Sequence, residues 1–151
     1  MRRHPRAQRL QVILDLAERA EEKSLAAWGQ LQQKLQSEVE QKDQLVAYNH
    51  EYQQKISAPS QQAIKSGDIH STLNFMQQIK GVLEGQQEKI SLLEKQTEVA
   101  KKAYLEKRSK SQALHKLMDK LDKEFDQEEE KQQQKDADEW SNRIASQRMQ
   151  E

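Results

Sequence analysis

The stretch MQQIKGVLEGQQEKISLLEKQTEVAKKAYLEKRSKSQALHKLMDKLDKEF, residues 76–125, decides the fold. Steps of three and four through it visit Met76, Ile79, Leu83, Gln86, Ile90, Leu93, Thr97, Ala100, Tyr104, Lys107, Ser111, Leu114, Met118, Leu121 and Phe125. The phase holds for about seven heptads without a break, the pattern of a helix that packs along one narrow stripe against another helix. Upstream, Ser57, Ala58, Pro59, Ser60, Ser66 and Gly67 make the one stretch that holds both Pro and Gly. Pro59 lacks a backbone donor and disfavours helix before it, so the helix must break there. Beyond the break, Trp28, Leu31, Leu35, Glu38, Lys42, Leu45, Asn49, Tyr52 and Ile56 repeat the same period. Glu38 and Lys42 are poor seam residues and predict weak packing mid-helix, with the Lys42 stem lying along the seam and its charge in water. Leu10, Ile13, Ala17, Ala20 and Ser24 join this set through one extra step of four, which reads as a stutter that locally unwinds the supercoil.

Two long helices joined by a short linker fold back by default into an antiparallel hairpin. The expected fold is all-α: a single coiled-coil domain over 1–151, with a first helix over about 6–57, a turn over about 58–68 and a second helix over about 69–148. Asp68, Ser71 and Thr72 are candidate N-caps of the second helix. Placing Tyr52 opposite Phe75 sends Tyr48 to Ile79, Gln41 to Gln86, Leu35 to Leu92, Ile13 to Leu114 and Leu10 to Leu117, so apolar meets apolar and Gln meets Gln. The second helix outruns the first, which leaves residues after about 120 as a helical overhang without a partner.

Composition agrees with a thin fold. The chain has 151 residues, of which 34% are hydrophobic and 33% charged, against about 45–50% and about 25% in ordinary domains. Disorder is disfavoured by zero net charge and few Gly and Pro. No apolar run approaches the roughly 18 residues of a membrane helix. The basic start Met1-Arg2-Arg3-His4-Pro5-Arg6 lacks the apolar segment of a secretory signal. Without Cys there is no disulfide or thiolate chemistry. Catalytic chemistry is not expected. His50 precedes Glu51 but no second His follows at helical spacing, Gly81 and Gly85 are isolated, and a two-helix rod offers no water-excluding pocket. No cofactor, metal or nucleic acid is expected. The two glycines read as tolerated helix residues, as bends, or as points of close approach by a partner.

Three features lie outside the seam. A two-stranded seam uses two positions per heptad. Leu45, Tyr52, Met76, Ile79 and Leu83 fill it near the turn, so Val46, Tyr48, Phe75 and Val82 are surplus on its flanks and mark a partner site. Residues 1–9 carry four Arg and no acid, and Lys101, Lys102, Lys107, Arg108, Lys110 and Lys116 face a single acid, Glu106, whereas 119–139 carry ten acids and four Lys. Ala137, Trp140 and Ile144 form a small apolar stripe in a polar tail, suited to docking on another protein.

The residues resemble the flagellar FliJ family, a soluble component of the bacterial flagellar type III export apparatus, over nearly the whole chain. The resemblance is carried by Arg9-Leu10 to Glu18, by Leu45-Val46-Ala47-Tyr48-Asn49-His50-Glu51-Tyr52, by Phe75 to Gln87, and by Asp138-Glu139-Trp140. It implies an antiparallel two-helix coiled coil similar to the central stalk subunit of rotary ATPases. Its joined termini would insert into the hexameric ring of the flagellar export ATPase and promote its assembly. The hairpin side would contact the cytoplasmic domain of the membrane export gate, and export chaperones would be further partners. By residue, the gate-facing patch would be Gln41, Leu45, Tyr48, Tyr52, Phe75, Ile79, Val82 and Gln86, where Gln86 departs from the His that members can carry. The ring-facing set would be Leu10, Ile13, Arg19, Lys107 and Arg108. The expected location is cytoplasmic, at the inner membrane through protein partners. The rival readings are the stalk of a virulence injectisome, a generic coiled coil dimerising through its overhang, and a basic-end binder of nucleic acid or lipid.

Overall fold

The computed structural model describes residues 5–57 and 66–150, and all of them are helical. Helix α1 spans Pro5–Ser57 and α2 spans Ser66–Gln150. The two long helices pack against each other as a hairpin, as the heptads predict. Pro5 opens α1 at a position where the missing N–H costs nothing. Lys55 in the last turn of α1, and Asp68 and Arg148 in the first and last turns of α2, match the helix dipole. The Pro59 turn lies outside the described residues. Because α2 begins at Ser66, the three expected caps sit inside its first turns. Thr72 donates from Oγ1 to the Asp68 carbonyl at 2.8 Å, a back-bond within the helix and not a cap.

The structure divides into two units, Lys23–Tyr104 and Met1–Glu22 with Leu105–Glu151. In Lys23–Tyr104 the contacts run antiparallel. Trp28 stacks on Tyr104 with ring centroids 5.6 Å apart, and Tyr52 meets Phe75 edge-on at 5.1 Å. Ile79, Ile90 and Leu93 are the buried apolar residues here. The expected pairing of Leu35 with Leu92 is off by one residue, since Leu92 is exposed and Leu93 is buried. The Gln layer is present. Gln86 is buried and donates from Nε2 to the Glu38 carbonyl (3.2 Å), the Glu38 carboxylate (3.3 Å) and Gln41 Oε1 (3.4 Å). Lys42 is half-buried and its Nζ donates to Gln87, as a stem laid along the seam requires. Thr97 satisfies its hydroxyl on the Leu93 carbonyl at 2.7 Å, so it fits a seam position.

In the other unit, Ala7, Leu14, Ala17 and Met118 are buried, with Ser111 bonded through Oγ to the Lys107 carbonyl at 3.2 Å. Glu18 and His115 meet across the helices at 2.7 Å. Here the sequence expectation fails in phase. Leu14 is 3% exposed and Ile13 is 47% exposed. Ala7, Leu10, Leu14, Ala17, Glu21, Ser24 and Trp28 are all buried or half-buried and run in unbroken steps of three and four, so the phase needs no stutter, although Ala20 is half-buried as well. The continuous phase passes through Leu14 and through Glu21, whose charge makes it an unattractive seam residue. Past residue 120, Leu121, Phe125 and Glu129 are half-buried. From Glu130 to Gln150, Ile144 alone is less than exposed. Lys107, placed in the seam by its spacing, is exposed.

A seam this thin makes each apolar layer matter. Ile90→Ala is expected to cost about 2–4 kcal/mol. Asn49 Oδ1 is buried without a hydrogen-bond partner. Asn49→Leu therefore removes an unsatisfied acceptor and is expected to stabilise by about 1 kcal/mol. Thermal melts followed by far-UV circular dichroism check both, and an Asn49→Leu protein that melts below wild type would refute the second.

Candidate functional site

The eight patch residues follow one spacing on both helices. Gln41, Leu45, Tyr48 and Tyr52 lie on α1, and Phe75, Ile79, Val82 and Gln86 on α2, each at i, i+4, i+7 and i+11. A four-three-four run is one stripe of an α-helix. Within each stripe two residues belong to the seam and two stand one residue before a seam position. Gln41 precedes Lys42, Tyr48 precedes Asn49, Phe75 precedes Met76 and Val82 precedes Leu83. In an antiparallel pair these positions fall on the same flank of both helices, so the stripes meet along one side. The Tyr52–Phe75 and Gln41–Gln86 contacts join them.

The flank therefore has an outer and an inner set. Tyr48 is 55% exposed, Phe75 45% and Val82 56%, and Gln41 is exposed beside them. Leu45 and Tyr52 are half-buried, and Ile79 and Gln86 are buried. The outer side chains can touch a partner. The inner four hold them in place, with Tyr52 further braced by the Lys55 ammonium 5.6 Å from its ring centroid. Val46 follows a seam residue instead of preceding one, so of the four residues surplus to the seam it alone stands on the opposite flank. Gly81 and Gly85 border the outer set, and a Cβ built on either meets nothing within 4 Å. Close approach within the chain is not their role.

One end of the flank is charged. Glu38 accepts from Lys89 Nζ at 2.8 Å and from Gln86. The Lys89 hydrogen bond first, then the one from Gln86, hold the Glu38 carboxyl below its ordinary range, and the cover over its side chain opposes them. Gln86 Oε1 is buried without a partner.

The ring-facing set falls in the other unit. Leu10 is half-buried, and Ile13, Arg19, Lys107 and Arg108 are exposed. Val12 and Leu16, which the sequence reading passed over, are exposed on the stripe that leads at helical spacing to Arg19. Fixing the phase through Leu14 would have revealed them, since it turns both away from the seam. Tyr104 is committed to its stack with Trp28, so it offers no free platform for a nucleobase. Trp140 is 65% exposed and lines a shallow groove with Ile144 and Met149. Among the described residues no helix is long and apolar enough to cross a membrane, and no three His, Asp or Glu side chains gather as metal ligands.

The fold and the site define a two-helix coiled-coil protein with Tyr48, Phe75 and Val82 exposed along one flank. The family described as Flagellar FliJ protein matches residues 6–150, and the chain belongs to that family. Membership makes it a structural, non-catalytic component of the flagellar export apparatus. No curated protein or solved structure is a match for it.

The Glu38 contacts predict a pH dependence with a definite sign. A carboxyl held low in the folded state contributes stability that is full above its unfolded pKa of about 4.3 and is lost as pH falls through the lowered value. Glu38→Gln cannot lose this contribution. The melting-temperature gap between wild type and Glu38→Gln is expected to close as pH drops from about 6 to about 3, where carboxylates titrate.

Proposed function

We propose that this chain is the stalk of the flagellar export apparatus. It enters the hexameric export ATPase through the unit that holds its termini, promotes assembly of the ring, and binds the cytoplasmic domain of the export gate through the flank of Tyr48, Phe75 and Val82. The observation that carries the reading is this flank. Three large apolar side chains stand exposed on one side of a hairpin whose seam is already filled. Aromatic side chains in such positions are the commonest anchors of protein interfaces. Leu45, Tyr52, Ile79 and Gln86 act as supports of that contact and Gln41 as its polar edge.

The ring-facing contact would combine Ile13 with Val12 and Leu16 on α1, Arg19 beside them, and Lys107 and Arg108 on α2. Leu10 belongs to the seam that holds them. A long helix suits the coupling role, because continuous backbone hydrogen bonding makes it stiff along its length. Empty export chaperones are further partners on this reading, which places the protein in the cytoplasm at the inner membrane.

Two measurements test the two ends. Tyr48→Ala with Phe75→Ala is expected to weaken binding to the purified gate domain by roughly 2 kcal/mol or more, about thirtyfold, at unchanged helicity. Equal binding by wild type and variant in calorimetry would remove the flank from the gate contact. For the other end, the purified export ATPase should oligomerise and turn over faster with this protein than without it, and Val12→Ser with Leu16→Ser should blunt the effect. An ATPase indifferent to the wild-type chain would sink ring insertion.

A further inference from the structure

The flank that carries Tyr48 and Phe75 does not end at Gln86. Lys89, Leu92, Gln96, Val99 and Ala103 each stand one residue before a seam position of α2, and Ala27, Gln30, Lys34 and Ser37 do the same on α1. Leu92 is 56% exposed and Val99 68%. Two grooves of about 470 and 400 Å³ open between the helices here. Lys34, Glu38, Leu92 and Leu93 line the first, and Leu31, Val99, Ala100 and Ala103 the second. Gln96 lines both, so they run together as one furrow. From Lys89 to Ala103 α2 rises about 21 Å, four turns of helix.

The charge around the furrow has one sign. Residues 23–37 of α1 hold Lys23 and Lys34 and no acid. On α2, Lys95 lines the second groove, and Lys102 follows Val99 by three residues, on the outer side of the same flank. Glu94 and Glu98 follow seam residues, so they stand on the opposite flank. Glu38 is the one acid in the wall, and it is already bound to Lys89 at 2.8 Å and to Gln86. Glu40 and Glu88 bound the basic stretch toward Gln86, and Glu106 bounds it along α2 in the other direction.

We propose that this furrow docks an acidic amphipathic helix of a partner protein, laid beside the hairpin as a third helix. Leu92 and Val99 are seven residues apart, the spacing at which a partner helix presents its own apolar stripe. Carboxylates on the two edges of that stripe would meet Lys34 on α1 and Lys95 and Lys102 on α2. The sign of the charge selects the occupant. A basic helix would set its charges against these lysines, and the same flank of a second copy would bring lysine to lysine. A lipid surface is the poorer fit, because Leu31, Ala100 and Ala103 are half-buried in the furrow walls, within reach of an inserted side chain but not of a flat bilayer. The site uses none of Tyr48, Phe75 and Val82, so it goes beyond the proposed gate contact and does not rest on it.

The test is fluorescence anisotropy of the full chain with a labelled synthetic helix of about three heptads. It carries Leu at two positions per heptad and Glu on both edges of that stripe, so that its own charge keeps it from self-pairing. A second peptide has Lys in place of every Glu. At roughly 0.1 M salt the Glu peptide is expected to bind about tenfold or more tightly than the Lys peptide. Leu92→Ser with Val99→Ser should weaken the Glu peptide about tenfold or more at unchanged helicity, since both side chains are exposed in the free chain. Lys34→Glu with Lys95→Glu should reverse the preference, and its gain of Lys-peptide binding shows that the variant is folded. Tyr48→Ala with Phe75→Ala should bind the Glu peptide as wild type does, which keeps this site apart from the gate reading. Vesicles of phosphatidylglycerol and phosphatidylcholine in equal parts should not bind through Leu92 and Val99. No binding of the Glu peptide, equal binding of both peptides, a Leu92 and Val99 variant that binds like wild type, loss of binding in the Tyr48 and Phe75 variant, or vesicle binding that requires Leu92 and Val99 would each overturn the inference.

Discussion

A two-helix seam can bury only two side chains in every seven, and the rest of this structure follows from that limit. The chain spends its few apolar residues along one stripe of each helix. Among the described residues, seven apolar side chains are buried: Ala7, Leu14, Ala17, Ile79, Ile90, Leu93 and Met118. Each is worth at most about 1.5–3 kcal/mol, and the alanines much less. The low hydrophobic fraction is therefore what this fold asks for. Any apolar side chain beyond the stripe has nowhere to go within the hairpin. Tyr48, Phe75 and Val82 are such residues, and their exposure is a consequence of a full seam.

The same limit explains the polar layers. Leucine at every seam position would be stickier but less specific about register and partner number. Thr97 and Ser111 occupy seam positions by returning their hydroxyls to their own helix. Gln86 instead reaches across to the Glu38 backbone and side chain and to Gln41. A bond to a main-chain carbonyl of the other helix penalises sliding of one helix along the other. It sits at the inner edge of the aromatic flank. The cost is a buried acceptor, Gln86 Oε1, left without a partner. A flank whose supports are pinned in register presents Tyr48 and Phe75 at a fixed separation, which lowers the entropy a partner must overcome.

Most of the hairpin is legible in the sequence because periodicity is a strong signal over long stretches. The phase of α2 from Met76 to Phe125 reads correctly at every layer except Lys107. Where side chains are ambiguous, the reading goes astray. Ile13 and Leu14 are adjacent and equally apolar, and the unbroken phase runs through Leu14 and Glu21, a residue that looks wrong for a seam but is half-covered there. The phase through Leu14 turns Val12 and Leu16 away from the seam. Leu121 and Phe125 are half-buried and continue the same phase past residue 120. At the candidate site the family resemblance proposes the members of the patch, and the structure adds their layering. Spacing alone cannot say that Ile79 and Gln86 lie inside while Phe75 and Val82 lie outside. That division depends on which side of the seam each stripe leans.

The neutral net charge hides a separation of interaction chemistries. In Lys23–Tyr104 the exposed surplus is aromatic and aliphatic, and contacts built on it gain from water exclusion and persist at high salt. In the unit of Met1–Glu22 with Leu105–Glu151 the surplus is charge in blocks, beside the small apolar faces of Val12, Leu16 and Trp140. Blocked charge mainly raises the rate of encounter and sets orientation, and it weakens steeply as salt rises. The stalk role proposed above would call for both kinds of contact. One must hold its partner while the other engages and releases. Evenly mixed charge would have given the same composition and the same zero net charge. It would have provided no polarity of charge along α2.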